Sequence, residues 1–278
     1  MIAPAKPLTF SAVDGLGFAA ASGTLEAAQQ TAPYVVRSLG PLLELVYLVA
    51  GDRLPPLPGN WIVENGASPM IAALQQNHEE WVSADNRRTG FIRALRNGAD
   101  CDARLVAFLM HAKKAATDVA GLPGTTPGQL AAAMGELESN IHEHSDAPAT
   151  GILAYRAAPG VFEFVAADRG IGVLRSLQLC TTYADLPDHG KALQAAVSDG
   201  TSRFGANNRR GYGFRPIFLG LINLYGSLRF RSGDYALLID GTSPQPATAQ
   251  VAQKPVIDGF FASVRCHNGP GCSGGDLG

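Results

Sequence analysis

Three short stretches carry residue types whose spacing could do chemistry. In Ala131–Ser145, AAAMGELESNIHEHS, Glu136, Asn140 and His144 stand four residues apart, so on a helix an acid, an amide and an imidazole share one stripe. In AADRGIG, Asp168, Gly170 and Gly172 follow one another in D-x-G-x-G order. An Asp at a strand end can accept a hydrogen bond from an exocyclic amine, and the glycines allow backbone to approach a flat ring. In Gly211-Tyr-Gly213 a Gly-x-Gly opens an apolar helix, Phe214–Leu224, where free N–H groups and the positive end of the dipole suit a phosphate chain. Each has a plainer reading: a surface helix with incidental polar residues, a Gly-rich turn, and a hinge before a core helix.

The elements that must position these groups are legible from periodicity. Leu130, Met134, Leu137 and Ile141 recur at i, i+4, i+7 and i+11, a stripe that would bury the helix against a core. Thr126-Pro-Gly-Gln129 predicts its start, with Thr126 as the N-cap and Pro127 at the first helical position. Ile152–Arg156 and Val161–Ala167 read as strands, the second ending at Asp168. Ser176–Asn208 reads as a lid containing a short helix near Gln194–Val197 and ending in the basic cluster Arg203, Arg209 and Arg210. Strands are expected at Ser227–Arg231 and Tyr235–Asp240 around a Ser232-Gly-Asp turn, with a last one at Gly259–Cys266. The tail, Gly269–Gly278, is expected to be disordered.

Residues 1–115 read differently. Helical periodicity is assigned to Thr24–Leu39, Leu42–Val49, Met70–Val82, Arg88–Arg96 and Arg104–Val119, with Gly51–Pro69 a Pro- and Gly-rich loop. This predicts a helical accessory region for sensing or dimerisation, with Trp61 and Trp81 as packing anchors. His111 lacks the flanking acid of a phosphoacceptor and reads as an ordinary interfacial histidine.

The bulk properties bound the partners. The 278 residues are 46% apolar and 17% charged with a net charge of −2, so the chain can build a core and has no basic field for nucleic acid or anionic membrane. Its four cysteines form no CxxC pair, so neither structural zinc nor a disulfide framework is indicated. No signal peptide or spanning run is apparent, which predicts a cytoplasmic protein.

In order, these pieces resemble the GHKL ATPase superfamily over about Leu122–His267. ELESNIHEHS is similar to its N box, DRGIG to its G1 box and RGYGF to its G2 box. The resemblance implies an α/β fold of Bergerat type: a mixed, largely antiparallel sheet covered by helices (residues 116–268), preceded by the mainly helical N-terminal region. It implies ATP and Mg²⁺ as cofactors. Asn140 would coordinate the metal, Asp168 would bind the adenine amine above Gly170 and Gly172, and Gly211 and Gly213 would line the triphosphate. Glu136 matches the general-base position, and His144 and Arg210 are phosphate-side candidates. Phe214 stands where Leu is common, there is no F box, and no phosphoacceptor helix precedes the domain. The likeness is therefore to stand-alone ATP-binding proteins of the histidine-kinase and anti-sigma-factor branch. It implies a signalling protein that regulates or phosphorylates a protein partner, STAS-like partners being the suggested class, and it is compatible with a homodimer. The alternatives are an ATP-hydrolysing clamp and a nucleotide-binding module without turnover.

Overall fold

In the computed structural model, which describes residues 5–26, 33–56, 62–63, 68–94, 99–197, 226–239 and 249–269, strand β7 (Val161–Asp168) is buried along almost its whole length. Its sequence, VFEFVAAD, reads as a near-continuous apolar run because both of its faces are covered. Phe162, Phe164 and Ala166 face one core, and Val165 and Ala167 face the other.

Around β7 the main sheet has the order β4-β5-β6-β7-β9-β8, and every pairing in it is antiparallel. The strands are β4 (Glu80–Val82), β5 (Thr89–Arg93), β6 (Ile152–Ala158), β8 (Ser227–Ile239) and β9 (Gln250–His267). The front face is covered by α4 (Ala99–Asp118), α5 (Thr126–His144), α6 (Gly172–Gln178) and α7 (His189–Ala196). The back face carries α1 (Phe10–Ala21), α2 (Leu39–Ala50) and α3 (Ser68–Gln75). A small parallel sheet also belongs to this region, β1 (Lys6–Pro7), β2 (Tyr34–Val35) and β3 (Ile62–Val63). The protein is thus an α/β fold with helices over an antiparallel sheet and a mainly helical N-terminal region.

Several local expectations are corrected. Thr89–Arg93 is a strand, not part of a helix, and Glu80–Val82 is a strand beyond a helix that stops at Gln75. Pairing with β6 decides this, since Phe91 and Ile92 bury on opposite faces, the period of a strand. Within Thr24–Leu39, Tyr34–Val35 is strand and the following helix starts at Leu39. Trp81 packs partly buried against the back core, as expected of an anchor. Trp61 lies outside the described residues, as do residues 270–278 of the tail.

The back layer is held by buried charge. Arg229 and Arg231 alternate with Leu228 and Phe230 on β8, so the strand looks half-exposed in sequence, yet both arginines are buried. Glu44 of α2 takes a two-pronged contact from Arg229, 2.8 Å from Nε and 2.9 Å from Nη2, and a further bond from Arg231 Nη1. Asp14 of α1 meets Arg229 and, at 2.8 Å, Lys254. No helix among the described residues is long and apolar enough to cross a membrane.

Candidate functional site

Helix α5 has the two stripes its sequence predicts. Leu130, Ala133, Met134, Leu137 and Ile141 are buried in the front core, whereas Glu136 is exposed and Asn140 and His144 are half-buried. The start differs from expectation. Thr125, not Thr126, is the N-cap; it has helical φ and ψ, and no side-chain capping bond forms there. A cap side chain reaches back only from an extended residue, which explains the missing bond.

Asn140 has an environment of its own. Its amide nitrogen is buried and has no hydrogen-bond partner among the described residues. A flip of the amide exchanges nitrogen and oxygen, so either atom can be presented to a ligand. A buried polar atom left unpaired costs roughly 1–3 kcal/mol, so a group that satisfies it would be bound with that gain.

One turn beyond Asn140 the helix reaches the Asp168–Gly172 loop. The Ser145 carbonyl accepts a hydrogen bond from the Ile171 backbone N–H at 2.8 Å. A Cβ on Gly170 would fall 1.9 Å from that same carbonyl oxygen, so only glycine fits between the loop and the helix end. Gly172, at φ +73°, lies against Ser232 and Gly259, where a Cβ would come within 2.7 Å of Ser232 Oγ. The close approaches that require these two glycines in this structure are approaches of the chain to itself, to Ser145 at Gly170 and to Ser232 and Gly259 at Gly172.

Asp168 ends β7 with 1% of its surface exposed. Its Oδ1 accepts from the Gly170 N–H at 2.7 Å. Burial pushes its carboxyl up to about 7, against which the Gly170 hydrogen bond pulls down. The loop is tied from both sides. Arg169 N–H donates to Thr150 Oγ1 at 2.9 Å, and the Arg169 guanidinium donates to the carbonyl of Ala50 at the end of α2. Thr150 itself donates to the Ala147 carbonyl at 2.7 Å.

The segment Ser232-Gly-Asp is not a turn. It is a bulge inside the continuous strand β8, marked by register shifts against β9. The bulge aims Ser232 at the start of α6, where Oγ accepts from Val173 N–H and donates to the Gly259 carbonyl, both at 2.9 Å. Gly233, at φ +58°, leaves room for the His189 ring at the start of α7. The front of the expected lid is thus largely ordered as α6 and α7, with α7 longer than the short helix expected at Gln194–Val197.

Of the sequence-predicted site residues, the structure brings the end of α5 and the Asp168–Gly172 loop into direct contact and sets Asn140 and Glu136 on the same helix above it. Arg210, Gly211, Gly213 and the helix expected at Phe214–Leu224 lie outside the described residues. Ser145, Thr150, Arg169 and Ser232 were missed, because an isolated Ser, Thr or Arg has no periodic signal. His111, on α4, contacts Arg87, and burial and that guanidinium lower its basicity. Among the described residues no group of three or more His, Cys, Asp and Glu side chains could hold a metal ion. A cation here would take Asn140 as its protein ligand and complete its shell with ligand oxygens and water. Comparisons with protein-family models, curated proteins and solved structures found no match for this chain.

Proposed function

We propose that this protein binds Mg·ATP on the front face, between α5 and the Asp168–Gly172 loop, with Gly211 and Gly213, outside the described residues, proposed from the sequence resemblance alone to line the triphosphate. It would act in the cytoplasm as a GHKL-type signalling ATPase or kinase on a protein partner, for which STAS-like regulators remain the suggested class. The observation that carries this reading is the contact between the two boxes. The helix bearing Glu136, Asn140 and His144 ends on the loop bearing a buried Asp168.

The residues present fit such a ligand. Asp168 offers a buried acceptor to an exocyclic amine, and the donor would favour its ionised form. Asn140 has a buried amide nitrogen with no partner among the described residues, and with the amide flipped its oxygen would be the atom offered to a magnesium ion. Glu136 is exposed one turn before Asn140 on the same stripe, and as the general base it would orient a water onto the γ-phosphate. Bound ATP supplies the transferable phosphoryl group. The chain's own part is to hold the base, ligate the cation and orient the water.

Calorimetric titration of ATP with Mg²⁺ tests this on the wild type, Asn140→Ala and Asp168→Asn. Magnesium-dependent binding weakened at least about tenfold by each substitution is expected. Absence of binding by the wild type would overturn the reading. With binding in hand, Glu136→Ala separates turnover, which it should abolish, from a binding module that has none to lose.

A further inference from the structure

Helix α4 presents to solvent a face that a globular protein would ordinarily cover. Val106 and Met110 are 59% and 56% exposed, although the opposite side of the same helix (Phe108, Ala112, Ala115 and Ala116) is fully committed to the front core. The exposed positions Ala103, Val106, Met110, Lys113 and Thr117 recur at alternating steps of three and four, the seam of a helix that pairs with another helix. Ala103 and Ala107 flank the two large side chains and are small enough for a second helix to approach closely.

The charges along this face choose the partner. Asp102 lies on it before the apolar pair and Lys113 and Lys114 lie on it after. In an antiparallel pair of identical helices centred level with residue 108, Val106 of each copy meets Met110 of the other. In the same register Asp102 lies level with Lys114 of the second copy, and Ala103 with Lys113. Among the described residues Lys114 pairs with Asp118, an exposed contact within the same helix at 2.5 Å that exchanges at little cost. The antiparallel arrangement also sets the positive end of each helix beside the negative end of its mate. A parallel pair would instead align Lys with Lys and Asp with Asp.

We propose that the α4 face is a two-fold interface at which a second copy of this chain docks antiparallel, with Val106 against Met110 at its centre. The inference does not rest on nucleotide binding. It touches the candidate site through packing, since Leu109 of α4 lies against Gly135 of α5, where a Cβ would be 3.3 Å from Leu109 Cδ1.

Sedimentation velocity on the full chain at about 1–200 μM tests it, a span suited to an interface at the small end of the specific range. The wild type should pass from monomer to dimer across that span. Val106→Lys and Met110→Glu were chosen because each adds a favourable i,i+4 partner, Asp102 and Lys114 respectively, and so keeps the helix intact. Each alone should weaken dimerisation at least tenfold with an unchanged circular dichroism spectrum. Combined in one chain, the two substitutions place opposite charges level with each other across the interface and should restore dimers at low salt. A wild type that stays monomeric, or a single variant that dimerises like the wild type, overturns the proposal. Failure of the double variant to recover overturns the antiparallel register.

Discussion

The Ser145 carbonyl and the Ile171 N–H are joined at 2.8 Å, so the last residue after α5 and the residue before α6 are parts of one structure. Gly170 is the residue that permits it. Gly170→Ala would drive a methyl group into the Ser145 carbonyl, and the backbone at the helix end has no rotamer through which to yield. A loss of about 3 kcal/mol is expected in urea denaturation, at the upper end for overpacking. A loss below about 0.5 kcal/mol would show that the helix end and the loop are not locked together.

Asp168 predicts an unusual pH dependence. Its carboxyl is raised from 3.8 to about 7 in the folded protein by burial, so the folded chain holds a proton that the unfolded chain releases. The stability this contributes is fully present below 3.8 and is lost as pH rises through about 7, each unit being worth up to about 1.4 kcal/mol. Asp168→Asn removes the charge, so its gain in melting temperature over the wild type should grow between pH 4 and pH 7 and level off above. A gain that is flat with pH would contradict this.

Adenine-nucleotide affinity should follow the same proton in the opposite sense. An amine donor favours ionised Asp168, so binding should tighten as pH rises through about 7 and should release a proton. Calorimetry in two buffers of different ionisation enthalpy reads that proton directly. Equal heats in both buffers at pH 6.5 would exclude the coupling.

The back layer should be sensitive to Glu44. Burial alone would push its carboxyl up, but the Arg229 and Arg231 guanidiniums outweigh burial and hold it below the ordinary range. Its contribution is therefore present above about 4.5, the unfolded carboxyl's value, and is lost as pH falls through its lower folded value. Glu44→Gln leaves two buried guanidiniums short of charge and should cost about 3–5 kcal/mol. The loss should persist in 1 M salt, since buried pairs are poorly screened. Recovery of stability in salt would place the cluster at the surface.

Glu163 predicts a local effect. It reaches from β7 to the start of α2, where Oε1 accepts from Ser38 Oγ at 2.9 Å and Oε2 from Leu39 N–H at 2.6 Å. Ser38, the N-cap, makes no side-chain capping bond within its own helix, so the strand supplies the cap. Glu163→Gln should cost about 1–2 kcal/mol and speed hydrogen exchange in the first turn of α2, as expected for a charged cap. Unchanged exchange there would mean the contact does not hold the helix.

The elements with strong local periodicity were readable from the chain alone. The apolar stripe Leu130–Ile141, the strands on either side of Pro159-Gly160 and the position of Asp168 at a strand end each follow from neighbours in sequence, because burial on one face imposes a 3.6 or a 2 repeat. Other features had no such signature. Thr89–Arg93 is too short for its period to outweigh helical composition, and only the β6 edge makes it a strand. Ser232-Gly-Asp looks like a turn by composition, yet pairing with the long strand β9 pulls it straight into a bulge. The alternation of Leu228, Arg229, Phe230 and Arg231 announces a solvent face, and only the acids of α1 and α2, some 185–215 residues away in sequence, turn it into an interior. Sequence alone determined where the helix and the strand ends carry polar groups. Tertiary structure decided which of them meet, because a contact such as Ser145 with Ile171 depends on how two elements cross and not on either one's repeat.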